Sequence, residues 1–153
     1  MSSPRLGYPV ELRLMRLRDM SPLQVHDLYR LRVDVFVTEQ RCAFEFDDLD
    51  PNPGTIHVVA QEGERTIGTA RVYVDEQGRA RIGRVAVAAD RRKYGIGRLV
   101  MQAAVDYWEP QIAIFIEAQA YLREWYETFG FQVDGDMFLE AGIEHYPMTR
   151  PGA

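Results

Sequence analysis

Between residues 91 and 98 the chain reads Arg91-Arg92-Lys93-Tyr94-Gly95-Ile96-Gly97-Arg98, four basic side chains around two glycines. An apolar, strand-like run, Val85-Ala86-Val87-Ala88, comes before it, and a helix-like run from Leu99 to Trp108 comes after. Glycine lets the backbone come close to a ligand and present its N–H groups, and a helix start adds a partial positive charge. These are the parts of a pyrophosphate cradle. Gly95-Ile96-Gly97-Arg98-Leu99-Val100 carries the first two glycines of a dinucleotide fingerprint, and Glu117 lies at about the distance of a ribose contact. Against that, Val100 stands where a third small residue belongs, and the charged stretch Asp90 to Lys93 separates strand from glycines. A nicotinamide or flavin enzyme is therefore disfavoured.

Other residues could move protons. Glu39, Asp48, His57, Glu117 and His145 are candidates for a base, and His57 starts in the right pKa range. His57 reads equally well as a hydrogen-bonded strand histidine. Tyr126 could donate a proton, although its helical spacing with Leu122 and Phe129 also suits a core aromatic. Three arginines stand apart: Arg32 interrupts an apolar helical face, Arg84 interrupts the Ile82–Val87 run, and Arg71 lies in a strand. Buried cations need partners, and Glu39, Asp48 and Asp50 could supply them. An internal salt-bridge network fixing the first helix to the sheet is favoured over a carboxylate-binding acceptor site.

The elements that must position these groups follow from periodicity. Val10 to Leu17 alternates as a strand, with Val10, Leu12 and Leu14 on one face. Ser21, Pro22 and Gln24 form the capping box of a helix whose apolar positions run on to Val35 and Phe36. Cys42 to Gly54 is an acidic loop. Ile56–Gln61, Thr66–Val74 and Arg81–Ala88 form an antiparallel meander. After the glycine loop come a helix stopped by Pro110, a strand over Ile112–Ala118, a helix over Leu122–Phe129 capped by Gly130, and a tail strand pair, Phe131–Val133 with His145–Thr149. The order implies an α+β fold with a mixed central sheet.

Composition narrows the classes further. The 153 residues suit a single domain spanning 1–153, and 46% hydrophobic content supplies its core. A net charge of -5 argues against a general nucleic-acid binder. One cysteine, Cys42, permits no internal disulfide and no thiolate zinc site, so no metal is expected. Met1 to Arg5 lead into no long apolar run and nothing here would span a bilayer, so a cytoplasmic protein with no membrane partner is expected.

Arg92-Lys93-Tyr94-Gly95-Ile96-Gly97 has the form Arg-x-x-Gly-x-Gly and resembles the coenzyme A loop of the GNAT superfamily of N-acetyltransferases. Trp125-Tyr126-Glu127-Thr128-Phe129-Gly130-Phe131 resembles that superfamily's Tyr-x-x-x-Gly-Phe signature. Leu31 to Gln40, the acidic Glu45–Asp50 segment, His57, Arg71, Gly83-Arg84-Val85, Ala118-Gln119-Ala120 and Gly142 to His145 resemble its ElaA-like branch, so the likeness runs from Leu12 to Met148. Tyr121 departs from it, standing where that branch has His.

The resemblance implies a GNAT-like fold with helices on both faces of the sheet and a V-shaped splay between the fourth and fifth strands. It implies acetyl-CoA as co-substrate. Val85, Ala86 and Val87 would hold its pantetheine, with the Val87 N–H facing the thioester oxygen, and residues from Arg92 and Lys93 through Tyr94, Gly95, Ile96, Gly97 and Arg98 its pyrophosphate. Tyr126 would be the general acid to the departing thiolate. Glu39 and His57 are the favoured base candidates, and Arg32, Glu39, Asp48, Arg71, Arg84 and His145 the acceptor side. The acceptor would be an amine of a small molecule or peptide. Superfamily members often pair as homodimers.

Two rivals remain at this level. Arg32-x-x-x-Phe36-Val37, Glu45-x-Asp47 and Asp50 also resemble acyl-homoserine-lactone synthases, which use acyl carriers. A non-catalytic module that binds acyl-CoA is the other.

Overall fold

The computed structural model describes residues 7–42 and 46–153, so the Glu45 position of the sequence reading lies outside the described residues. The chain begins with β1 (Val10–Met15), α1 (Pro22–Arg32) and the meander β2 (Ile56–Glu62), β3 (Arg65–Val74) and β4 (Ala80–Val87). Then come α2 (Ile96–Tyr107), β5 (Ile114–Gln119), α3 (Arg123–Glu127), β6 (Gln132–Val133), β7 (Phe138–Glu140) and β8 (Ile143–Arg150). Among the described residues these strands form one mixed sheet in the order β1-β2-β3-β4-β5-β8-β6, with β7 also paired to β8.

Local chemistry accounts for most of these elements. The Ser21 hydroxyl accepts from the Gln24 N–H, and the Gln24 side chain accepts from the Ser21 N–H, so the expected capping box is present. Past Arg32 the helix widens into π-helical turns over Val33–Glu39, which put Val35, Glu39 and the following Gln40 on a shared side. α1 and α2 pack on opposite faces of the sheet. Toward α2 point Val58, Ala60, Gly68, Ala70 and Val72, met by Ile96, Val100, Met101 and Ala104. A methyl group on Gly68 would come within 2.6 Å of Ile96, so glycine lets α2 lie this close. Toward α1 lie Val59, met by Leu28 and Met20, and a charged cluster described below.

The structure adjusts several boundaries. β1 is an edge strand, and Leu14, on the face it shares with Val10 and Leu12, is exposed. α2 begins at Ile96, inside the glycine loop, because Gly95 can take the left-handed φ of 76° that caps it. A turn at 109–112 delays β5 to Ile114. The tail contains a further strand, β7, which hairpins onto β8 through Ala141 and Gly142, both at positive φ.

One feature of the sheet bears on function. β4 and β5 run parallel but pair only at Ala80 with Ile114 and at Arg81 with Phe115. Beyond that point they part. Where they part, β4 also bulges: Gly83 lies opposite Arg71 and Ala86 opposite Thr69, and Arg84 sits within the extra residue at φ 51°. This is the splay between fourth and fifth strands that the resemblance implied.

Candidate active site

The splay opens a cleft of about 520 Å³. Its walls include Val85, Ala86 and Val87 from β4, with Leu122, Trp125 and Tyr126 from the α3 region opposite. Arg92, Gly95, Gly97 and Arg98 close one end. The first turn of α2 therefore presents its N–H groups at the cleft, where no side chain caps them. A Cβ on Gly97 would stand 3.5 Å from Val87 and 3.6 Å from Trp125, inside the space the cleft uses. Open helix-terminal amides, two guanidinium groups and, among the described residues, a β4 edge unpaired beyond Arg81 fit a pyrophosphate followed by a long amide-bearing arm.

The basic run divides by role. Arg92 gives both terminal nitrogens to the Glu39 carboxylate, at 2.7 and 2.8 Å, and its Nε donates to the Val87 carbonyl at 3.3 Å. Arg98 lies over the Phe129 ring and donates to Thr128 Oγ1. Arg91 bonds Glu62 and covers the Tyr94 ring, while Lys93 is exposed; neither Lys93 nor Tyr94 lines the cleft. The Ile96 side chain belongs to the core and does not line the cleft.

Tyr126 lines the cleft with its ring edge-on to Trp125 and Phe131. Burial pushes its phenol up to about 12, so it stays protonated and can donate. It also lines a smaller chamber on the far side of the splay, of about 110 Å³, which borders Arg84, Glu117 and Gln119 as well. The two cavities share Gln40, Val85, Leu122 and Tyr126. Gln40 and Gln119 are sequence-distant amides bonded to each other at 2.9 Å, and nothing in their local pattern marked them as a pair lining the site.

The expected acceptor residues separate. Asp50 is fully buried and accepts from Arg32 twice, at 3.0 and 2.9 Å, from Tyr29 at 2.8 Å and from Arg71 at 2.9 Å. Burial alone would raise its pKa; the bonds from Arg32, Tyr29 and Arg71 outweigh that and hold it at about 2. Arg71 reaches Asp47 as well, at 2.8 and 2.7 Å, and Arg84 contacts Asp47 at 3.5 Å. His57 is sealed beneath this cluster and donates from Nε2 to the Asp50 carbonyl at 3.1 Å; burial lowers its pKa, so the ring is neutral. Arg32, Arg71 and His57 line neither the cleft nor the chamber. They fasten α1 and the acidic loop to β2 and β3, the internal network that the sequence favoured.

Glu39 is drawn to the glycine loop by Arg92, whose hydrogen bond holds its carboxyl below the usual range, a poor setting for a base. Asp48 is exposed in its turn, away from both cavities. His145 is buried in β8, donates from Nδ1 to the Ile143 carbonyl and stacks on Phe138, which places it in the tail hairpin. Of the acidic and basic candidates outside the loop, Arg84 and Glu117 are the ones that border the chamber.

Comparison with known proteins agrees with this geometry. Residues 18–150 match the acetyltransferase (GNAT) domain family. A UPF0039 protein of Mycobacterium tuberculosis is 38% identical over 152 residues, covering 93% of this chain and 94% of that one. Among solved structures, an acyl-CoA N-acyltransferase from Pseudomonas aeruginosa is similar with a TM-score of 0.84 at 29% identity, covering 92% of this chain and 99% of that one. Escherichia coli ElaA is similar with a TM-score of 0.85 at 26% identity, covering 93% of this chain and 99% of that one.

Proposed function

The chain belongs to the GNAT acetyltransferase family, and from that premise we propose that it moves an acetyl group from acetyl-CoA to a primary amine of a small molecule or peptide. The observation that carries this reading is the junction at Val85 and Tyr126, where a cleft ending at the α2 amides meets a second chamber. A donor lying in the cleft and an acceptor entering the chamber would meet beside the Tyr126 phenol.

Acetyl-CoA supplies an acetyl group already activated as a thioester. The chain does the rest. The α2 amides, Arg92 and Arg98 hold the pyrophosphate, with Arg92 exchanging Glu39 for phosphate oxygens. The open edge of β4 aligns the pantetheine, and the Val87 N–H polarises the thioester carbonyl. The amine attacks directly as the carbon–sulfur bond breaks, and Tyr126 gives its proton to the sulfur. Among the described residues no helix is long and apolar enough to cross a membrane, and we place the activity in the cytoplasm.

Release of free coenzyme A from acetyl-CoA, measured across a panel of amines, tests the proposal. Amine-dependent release supports it. Preference for an acyl carrier thioester as donor would favour the lactone-synthase reading. Of the residues that suggested that reading, Arg32, Asp47 and Asp50 lie in the salt-bridge network.

A further inference from the structure

The chamber beyond Tyr126 has a composition of its own. Its charged lining is one cation, Arg84 from β4, and one anion, Glu117 from β5. The paired amides of Gln40 and Gln119 line the chamber as well. About 110 Å³ admits the head of a small molecule and not the body of a large one. The Glu117 side chain is 45% exposed and stands 3.6 Å from Arg81, so this edge is open to solvent and lets a side chain project outward.

Arg84 is held there at a cost. Its φ of 51° lies in the left-handed region, which an arginine adopts under strain. The neighbouring Gly83 would have taken that conformation freely, yet the strained position carries a long cationic side chain. Strain confined to a bulge beside a cavity that touches the reacting centre points to a role for the side chain it aims.

Resting on the acyl-transfer reading above, we propose that the acceptor is a small amine bearing a carboxylate beside its nitrogen, an α-amino acid in the simplest case. Arg84, whose guanidinium meets Asp47 at 3.5 Å in the structure, shares its planar fork with the carboxylate, and Glu117, 3.6 Å from Arg81, takes the ammonium. Of the three ammonium protons, one passes to Glu117 and on to solvent. One stays on the new amide. The last restores to Tyr126 the proton given to the sulfur. A nitrogen–carbon bond forms, a carbon–sulfur bond breaks, and one proton is released.

The test follows coenzyme A release by the whole chain with the proteinogenic amino acids as acceptors, then with the carboxamide and the decarboxylated amine of the best one. The KM of both analogues is expected to exceed that of the amino acid by about tenfold or more. Arg84→Gly removes the side chain while suiting the positive φ, so it folds; in it the difference collapses, with coenzyme A affinity unchanged. Glu117→Gln raises the KM of all three acceptors. Equal use of the analogues by the native chain, or discrimination kept in Arg84→Gly, overturns the proposal. Should no amine release thiol, calorimetry of the amino acid against the coenzyme A-loaded protein decides. Saturable binding lost in Arg84→Gly keeps this proposal while acyl transfer fails, and no binding overturns it.

Discussion

Two arginine-rich regions of this molecule look alike in sequence and differ in kind. At the glycine loop, Arg92 pairs with Glu39 in the open, with 42% and 44% of their side chains exposed. On the α1 face, Arg32 pairs with Asp50 at almost the same distance, with 1% and 0% exposed. The exposed pair can exchange partners with a phosphate for little, since surface ion pairs contribute about 0–1 kcal/mol. The buried pair cannot open without stranding a charge. Burial, and not residue type, separates the arginines open to a change of partner from those locked in the interior.

That difference can be broken from the buried side first. Asp50→Ala leaves Arg32 without its carboxylate partner and should destabilise the fold by about 3–5 kcal/mol in urea denaturation. A loss under about 1 kcal/mol would mean that the network is not holding α1 to the sheet. On the open side, Tyr126→Phe should lower turnover by about a hundredfold with coenzyme A affinity nearly unchanged, since only the proton donor is removed. Unaltered turnover would remove the acid role.

Acid should find the buried network too. His57 has a pKa below its ordinary 6.5, so its neutral form stabilises the fold above that pH and the contribution fades as pH falls. Asp50, at about 2 against an ordinary 3.8, contributes about 2 kcal/mol that is present above pH 3.8 and lost as pH falls through its folded value. Both act in the same direction. Urea midpoints that stayed level from pH 6.5 down to 2 would contradict the assignment. The smallest effect belongs to the exposed arginine. Arg92→Ala should weaken coenzyme A by about tenfold while leaving stability within about 1 kcal/mol. A large stability loss there would erase the contrast between the regions.

The fold was largely legible in the chain. The Ser21–Gln24 box, the three meander strands and the helix after Gly97 all rest on contacts between near neighbours, which local pattern records. The early start of α2 was missed because Ile96 reads as part of the loop until the left-handed turn at Gly95 is seen. The site was legible in part. Arg92, Gly97 and Tyr126 stand out by type and spacing, and the structure brings them to one cleft. His57 and Arg71 stood out equally and lie in the interior, because both point from the α1 face of the sheet into the Asp50 cluster.

Element order, the glycine loop that opens α2 and the aromatic run that ends at Phe131 can be read along the chain, because these depend on residues a few positions apart. The tertiary structure decided which charges meet solvent and which meet each other. Arg32 reaches Asp50 across 18 positions, Arg92 reaches Glu39 across 53, and Gln40 reaches Gln119 across 79. No local pattern encodes such pairings; they exist only once β4 and β5 have parted and α1 has packed on the sheet, because burial is a property of the assembled layers and not of any segment.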